Sequence, residues 1–283
     1  MQHLTGFASL AAQYDGFILD LWGVIHDGVK PYPGAVDVLE RLHAAGKTFA
    51  MLSNAPRRAH VTRAGMQAMG IPDHLTGRIM TSGEATFRLL RDRPTEFARA
   101  LGGRMYHLGP DRDRNVYEGL DLTLVGTPAE ASFVLNTGPD DAGGPTELAD
   151  WEATLAACHA AGLPMICANP DLEVIRGGTR VICAGALAER YEAIGGACLW
   201  LGKPDPGIYP AVFELLDIPA PRVLAVGDAL RTDIAGAKAA GIASCWVLGG
   251  IHAAELGNDP ARIEAAAAVA GLAPVAALPA FVW

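Results

Sequence analysis

Residues 17–20 read FILD, a continuous apolar run that ends on a carboxylate. This is the pattern of a strand buried on both faces of a parallel sheet, delivering one polar side chain at its C-terminal edge. Working outward, Ala35, Val38, Leu39 and Leu42 fall at i, i+3, i+4 and i+7, and Gly46 stands where a helix would be capped. The spacing predicts a helix there, followed by a strand over TFAML (48–52) that runs into Ser53 and Asn54. Near the other end, RVLAVGD (222–228) repeats the apolar run closed by an aspartate, residues 233–240 read as the next helix, and SCWVL (244–248) as one more strand. Strands alternating with helices imply parallel crossovers, so the two ends of the chain are expected to share one doubly wound α/β sheet. A ligand then binds beyond the strands' C-terminal ends.

The middle of the chain carries its own elements: SFVLN (132–136), a helix over 147–161, MICAN (165–169) and a helix over 185–194. A stretch of that length and regularity is not a loop. The expected organisation is a discontinuous core of residues 1–83 and 199–283, with an inserted α/β cap domain over 84–198.

Composition sets outer limits. The chain has 283 residues, 51% hydrophobic and 19% charged, the balance of a folded globular protein rather than a disordered one. Its net charge of −9 argues against binding a nucleic-acid polymer, though a small cationic pocket for one phosphate group is compatible with it. Five cysteines, widely spaced and without a CxxC pair, speak against a disulfide framework or zinc site and fit a reducing cytoplasm. The N-terminus has no basic and apolar leader pattern, and the alanine-rich stretch 265–280 is broken by Gly271, Pro274 and Pro279, so no membrane span is expected.

Four features fall at element ends: Asp20, the Ser53–Asn54 pair, Lys203 in GKPDP, and Asp228 with Asp233 in GDALRTD. Together they suit phosphoryl transfer. A carboxylate nucleophile at Asp20 divides one difficult displacement into two easier ones through an aspartyl-phosphate. Further acids converging on it would repel one another unless a hard cation, magnesium by preference, were bound, with Asp228 as a ligand. Ser53, the neighbouring amides and Lys203 would hold the phosphate oxygens. Each feature alone is ordinary turn or cap chemistry; their joint occurrence in this order is what points to a site.

The chain resembles the haloacid dehalogenase-like hydrolase superfamily and, within it, the class IIA phosphatases. FILDLWGVIHDG is similar to the family's first motif, MLSNAP to its second, LGKPDPGIY to its third and VGDALRTDIAGAKAAG to its fourth, while ANPD (168–171) resembles an element of the class IIA cap. The resemblance covers nearly the whole chain. It implies a Rossmann-like core with a cap inserted between the second and third motifs. It also implies Asp20 as nucleophile, Ser53 and Lys203 on phosphate, and metal contacts from Asp20, Asp228, Asp233 and the backbone carbonyl of Trp22. Cap residues, Asn169 and Asp171 among them, would meet a small phosphorylated substrate, and a homodimer formed through the cap is the arrangement of many class IIA relatives.

One position departs from the pattern. The family's first motif usually carries a second aspartate two residues after the nucleophile, as general acid and then base, and here that residue is Trp22. An indole N–H donates a hydrogen bond but does not titrate, and loss of a positioned acid typically costs about a hundredfold to ten-thousandfold in rate. Three accounts follow: another group replaces the acid, with His26 on the same loop as a candidate for proton transfer; the substrate has a good leaving group; or rapid turnover has been lost, leaving a phospholigand-binding or regulatory protein. Carbon–halogen cleavage by the same nucleophile is a further alternative, set back by the metal-suited acids. Arg57 and Arg58, after the Ser53–Asn54 loop, read as a solvated helix face in preference to a contact with an anionic substrate.

Overall fold

The computed structural model describes residues 1–139, 147–176, 179–252, 256–257 and 259–283. Seven strands form one all-parallel sheet in the spatial order Gln2–His3, Ala276–Leu278, Ala243–Val247, Val223–Gly227, Gly16–Leu19, Thr48–Ser53 and Ile79–Thr81. Gly16–Leu19 is an interior strand, paired on both edges, as its uninterrupted apolar run requires. Phe17 and Leu19 point into one buried layer with Val38, Leu39 and Leu42 of the Ala35–Ala44 helix. Ile18 points into the opposite layer with Tyr209 and Val212 of the Tyr209–Leu216 helix. The chain winds outward from Gly16–Leu19 in both directions, so the strand order reverses beside it, where an open α/β sheet leaves a crevice.

A second all-parallel sheet is built from the middle of the chain, in the order Cys198–Trp200, Met165–Cys167, Phe133–Asn136, Arg104–Leu108 and Thr123–Val125. An antiparallel hairpin, Glu173–Arg176 with Thr179–Ile182, stands apart from both sheets. The helix Ser82–Asp92 runs across position 83/84 and the strand Cys198–Trp200 across 198/199, so the expected cap limits fall inside elements.

Two expected helices differ in detail. The segment 147–161 begins as a 3-10 turn, Leu148–Trp151, because Glu147 and Asp150 satisfy each other's backbone amides in a capping box before the α-helix Glu152–Ala160 starts. The segment after Asp228 starts as a π turn over Leu230–Ile234, and regular helix spans only Ala235–Ala239. The cause is Asp233, whose carboxylate turns back to accept the Ala229 amide at 3.1 Å and the Lys203 ammonium at 2.6 Å, widening the turn around it. Single π turns of this kind concentrate at functional sites. No helix among the described residues is long and apolar enough to cross a membrane.

Candidate active site

Strand register sets the site. The Asp20 amide donates to Val226 O at 2.9 Å, prolonging the ladder by one residue, and Leu19 lies level with Met51 and Val226 on the two neighbouring strands. Asp20, Asp228 and Ser53 therefore emerge together at the sheet's C-terminal edge. Carboxylate oxygens of Asp20, Asp228 and Asp233 all lie within 4.8 Å of one another, and all three residues are buried. Lys203 reaches them from the loop after Cys198–Trp200, its Nζ donating to Asp20 Oδ1 at 2.7 Å and to Asp233 Oδ1 at 2.6 Å.

Two glycines make room for Asp228. A Cβ on Gly23 would stand 2.0 Å from Asp228 Oδ2 and one on Gly250 1.9 Å from it, and Gly23 also holds a positive φ of 77°. The main chain after Trp22 thus passes directly against this carboxylate. Asp228 is otherwise fixed by the Ile251 amide, 2.7 Å from Oδ2, and by Trp246 Nε1, which donates to its backbone oxygen at 2.8 Å.

Three buried acids with one ammonium between them are undercompensated. Burial, reinforced by Asp233 and opposed by Lys203, pushes Asp20 up to about 7; burial and the two other carboxylates push Asp228 well above the usual range. For Lys203 burial disfavours the charge, but Asp20, Asp233 and Asp171 outweigh it and keep the ammonium protonated. A hard divalent cation fits this donor set of carboxylate oxygens, and it would hold the acids ionised where now they compete.

The second expected loop is a junction. Asn54 Oδ1 accepts the Lys203 amide at 2.8 Å, while its Nδ2 donates to Lys203 O at 3.0 Å and to Asp171 Oδ1 at 2.8 Å. Ser53, 2% exposed, accepts the Ala55 amide at 3.2 Å. Asn169 Oδ1 accepts the Asp171 amide at 3.1 Å, an Asx turn that aims the Asp171 side chain. Arg57 and Arg58 are not a solvated face: Arg57 pairs with the buried Asp113 at 3.4 Å, and Arg58 pairs with Glu84 at 2.7 Å while its amide donates to Asn115 Oδ1 at 2.8 Å. Arg231, which the sequence did not single out, donates to Pro170 O at 2.9 Å. These contacts tie the middle segment to the sheet edge.

A cavity of about 280 Å³ opens over Asp20 and Asp228, walled by Trp22 and Tyr32 on the sheet side and by Asp171, Val174, Ile175 and Arg180 of the Asn169–hairpin region on the other. A smaller one of about 130 Å³ lies beside it and shares Trp22, Asp171 and Val174 as walls; Asn169 lines only this second space. The Trp22 indole is wedged against Gly28, where a Cβ would lie 2.1 Å from the ring. His26 lines neither cavity. It is 4% exposed, its Nδ1 accepts the Gly28 amide at 3.0 Å, and burial drops its pKa to about 4, so it is a neutral prop for the loop. The hairpin carried a signal in the sequence, two β-branched runs around Gly177–Gly178, a pair outside the described residues.

Known proteins resemble this chain in sequence and fold. A model of haloacid dehalogenase-like hydrolases matches residues 17–123, and a HAD-hydrolase-like model matches 200–274. A haloacid dehalogenase-like hydrolase from Brucella suis 1330 superimposes with a TM-score of 0.85 at 33% identity, covering 99% of this chain and 100% of that one. Mouse chronophin is 29% identical over 90% of this chain and 88% of its own length. The ribonucleotide monophosphatase NagD of Escherichia coli is 29% identical over 83% and 87%. With Asp20, Lys203 and the acidic pair Asp228 and Asp233 brought together at the sheet edge, this chain belongs to the haloacid dehalogenase-like hydrolase family, among its class IIA phosphatases.

Proposed function

We propose that the protein is a magnesium-dependent phosphatase of a small phosphorylated metabolite, working through an aspartyl-phosphate on Asp20. The observation that carries this reading is the buried triad of Asp20, Asp228 and Asp233 around the Lys203 ammonium, at the floor of a cavity sized for a small molecule. Asp20, Asp228, Asp233 and the Trp22 carbonyl would hold the cation, which when bound supplies charge for the phosphate oxygens and keeps the acids ionised. Lys203 neutralises Asp20 and holds its carboxylate, and the Ser53 hydroxyl would hold an oxygen of the phosphoryl group as it passes to Asp20. Asn54 fixes the Lys203 backbone, so ammonium and phosphate loop move as one piece. Glu173, Val174, Ile175 and Arg180 of the paired strands wall the cavity and would set which leaving group fits.

The family that includes chronophin and a ribonucleotide monophosphatase supports a sugar phosphate, nucleotide or cofactor phosphate as substrate class. The test is phosphate release from a panel of such esters, with magnesium and with chelator, for wild type and Asp20→Asn. Magnesium-dependent release in the wild type, abolished by the substitution, is expected. Tight binding of a phosphorylated ligand without release across the panel would contradict it.

A further inference from the structure

We propose that Asp171, on the loop that leads into the hairpin, is the acid and base that Trp22 is not: it protonates the departing oxygen and afterwards takes a proton from the attacking water. This rests on the phosphatase reading and names a catalytic residue for it.

Placement and elimination both single out Asp171. Asp171 lines the cavity over Asp20, and it is latched beside the phosphate loop by Asn54 Nδ2 at 2.8 Å. It therefore shares one cavity with Asp20, standing at the edge of the phosphate loop where an ester bound over Asp20 comes within its reach. Among the described residues, the other titratable groups of the cavity are engaged or unsuited. Glu173 is paired with Arg180. Tyr32, its phenol raised by burial, would not take a proton back from water near neutrality. His252 packs edge-on to Trp246 with the Leu230 amide directed at Nε2. His26 is outside the cavity altogether.

The surroundings suit an acid that holds its proton until needed. Burial raises Asp171 and Asp233 adds to it, while Lys203, the Asn54 hydrogen bond and Arg231 draw it down, for a net upward shift. The charge of Asp171 in turn raises Asp20, so the two carboxyls sense each other. Nearby Cys167 and Cys183 are held neutral by burial, and Arg57, Arg112 and Asp113 face Asp171 across the smaller cavity. A carboxyl shifted upward on the wall of a substrate-sized cavity is the arrangement that general acid catalysis calls for.

The balance is simple. As an Asp20 oxygen bonds to phosphorus, the bond from phosphorus to the ester oxygen breaks, its electron pair stays on that oxygen, and the Asp171 proton goes there to release an alcohol. In the second half, Asp171 takes one proton from water, the water oxygen bonds to phosphorus, and the bond to Asp20 breaks. Phosphate leaves with Asp20 ionised and Asp171 protonated again.

Asp171→Asn keeps an oxygen that accepts from Asn54 and removes only the titrating proton. Magnesium-dependent kcat/KM would be measured across a series of alkyl phosphates and a series of aryl phosphates ending in 4-nitrophenyl phosphate, whose phenolate leaves unprotonated. The expected result is a fall of about a hundredfold to ten-thousandfold for the alkyl series with a few-fold change for 4-nitrophenyl phosphate, and loss of the alkaline limb of the alkyl pH profile. Asn54→Ala, which removes the latch and leaves the acid, slows both series together. An Asp171→Asn variant, equal to wild type in thermal midpoint, that slows both series alike or neither would overturn the inference and leave the phosphatase reading standing. Absence of wild-type turnover on either series would overturn both.

Discussion

The two walls of the cavity are made in different ways. On the sheet side, Asp20 and Asp228 sit one residue beyond paired parallel strands, so the backbone ladder fixes where their carboxylates go. On the other side, Asp171 and the hairpin occupy their places through side-chain contacts: Asn54 on Asp171, Arg57 on Asp113, Arg231 on Pro170 O. A site of this kind joins a half that is rigid by topology to a half that is held by a few replaceable hydrogen bonds. Chemistry common to a family belongs on the first, and substrate choice is free to vary on the second.

This contrast can be broken at its rigid half first. Asp228→Asn is expected to lower magnesium-dependent turnover on the order of a thousandfold, matching the several kcal/mol that a cation contributes to charge in the transition state. Saturating magnesium is expected to raise the thermal midpoint of the wild type and not of this variant; an equal rise in both would show that Asp228 is not a ligand. Gly250→Ala pushes a methyl into Asp228 Oδ2 and should weaken magnesium about ten- to a hundredfold in a calorimetric titration while the fold persists.

The tethered half is sharpened by Asn54→Ala. Lys203's amide and carbonyl, both buried here, lose a partner, and Asp171 loses its latch. We expect a loss of about 1–3 kcal/mol in denaturant unfolding. An unchanged midpoint would show that the middle segment is not held there.

The smallest effect concerns His26, a neutral buried imidazole. Its folded pKa of about 4 lies below the ordinary 6.5, so the unfolded chain binds more protons between these values. The stability tied to it is present above pH 6.5 and is lost as pH falls toward 4. His26→Asn, whose side-chain oxygen replaces Nδ1 as acceptor for the Gly28 amide, should flatten that part of the curve of thermal midpoint against pH. A catalytic imidazole would instead show its loss in the pH profile of turnover.

The same division explains what could be read from the sequence. Apolar runs ending in Asp20 and Asp228 announce buried parallel strands because nothing else tolerates that pattern, and Lys203 and Asp233 follow from their motifs. Four site features met where they were expected. The π turn over Leu230–Ile234 was not legible, since it arises from Asp233 turning back to meet Ala229 and Lys203, a tertiary event. Arg57 and Arg58 read as surface because their partners, Asp113 and Glu84, are distant in sequence or bent back by the fold. The clearance that Gly23 and Gly250 give Asp228 is visible only once two remote loops converge.

The central claim is that Asp20 attacks phosphorus, and the most direct measurement is mass spectrometry of the peptide containing Asp20 after acid quenching during steady-state turnover with magnesium. The account predicts a phosphoryl group on Asp20 that appears with substrate and disappears as substrate is exhausted. Turnover with no phosphoryl group on that peptide, or with one on another residue, would contradict it.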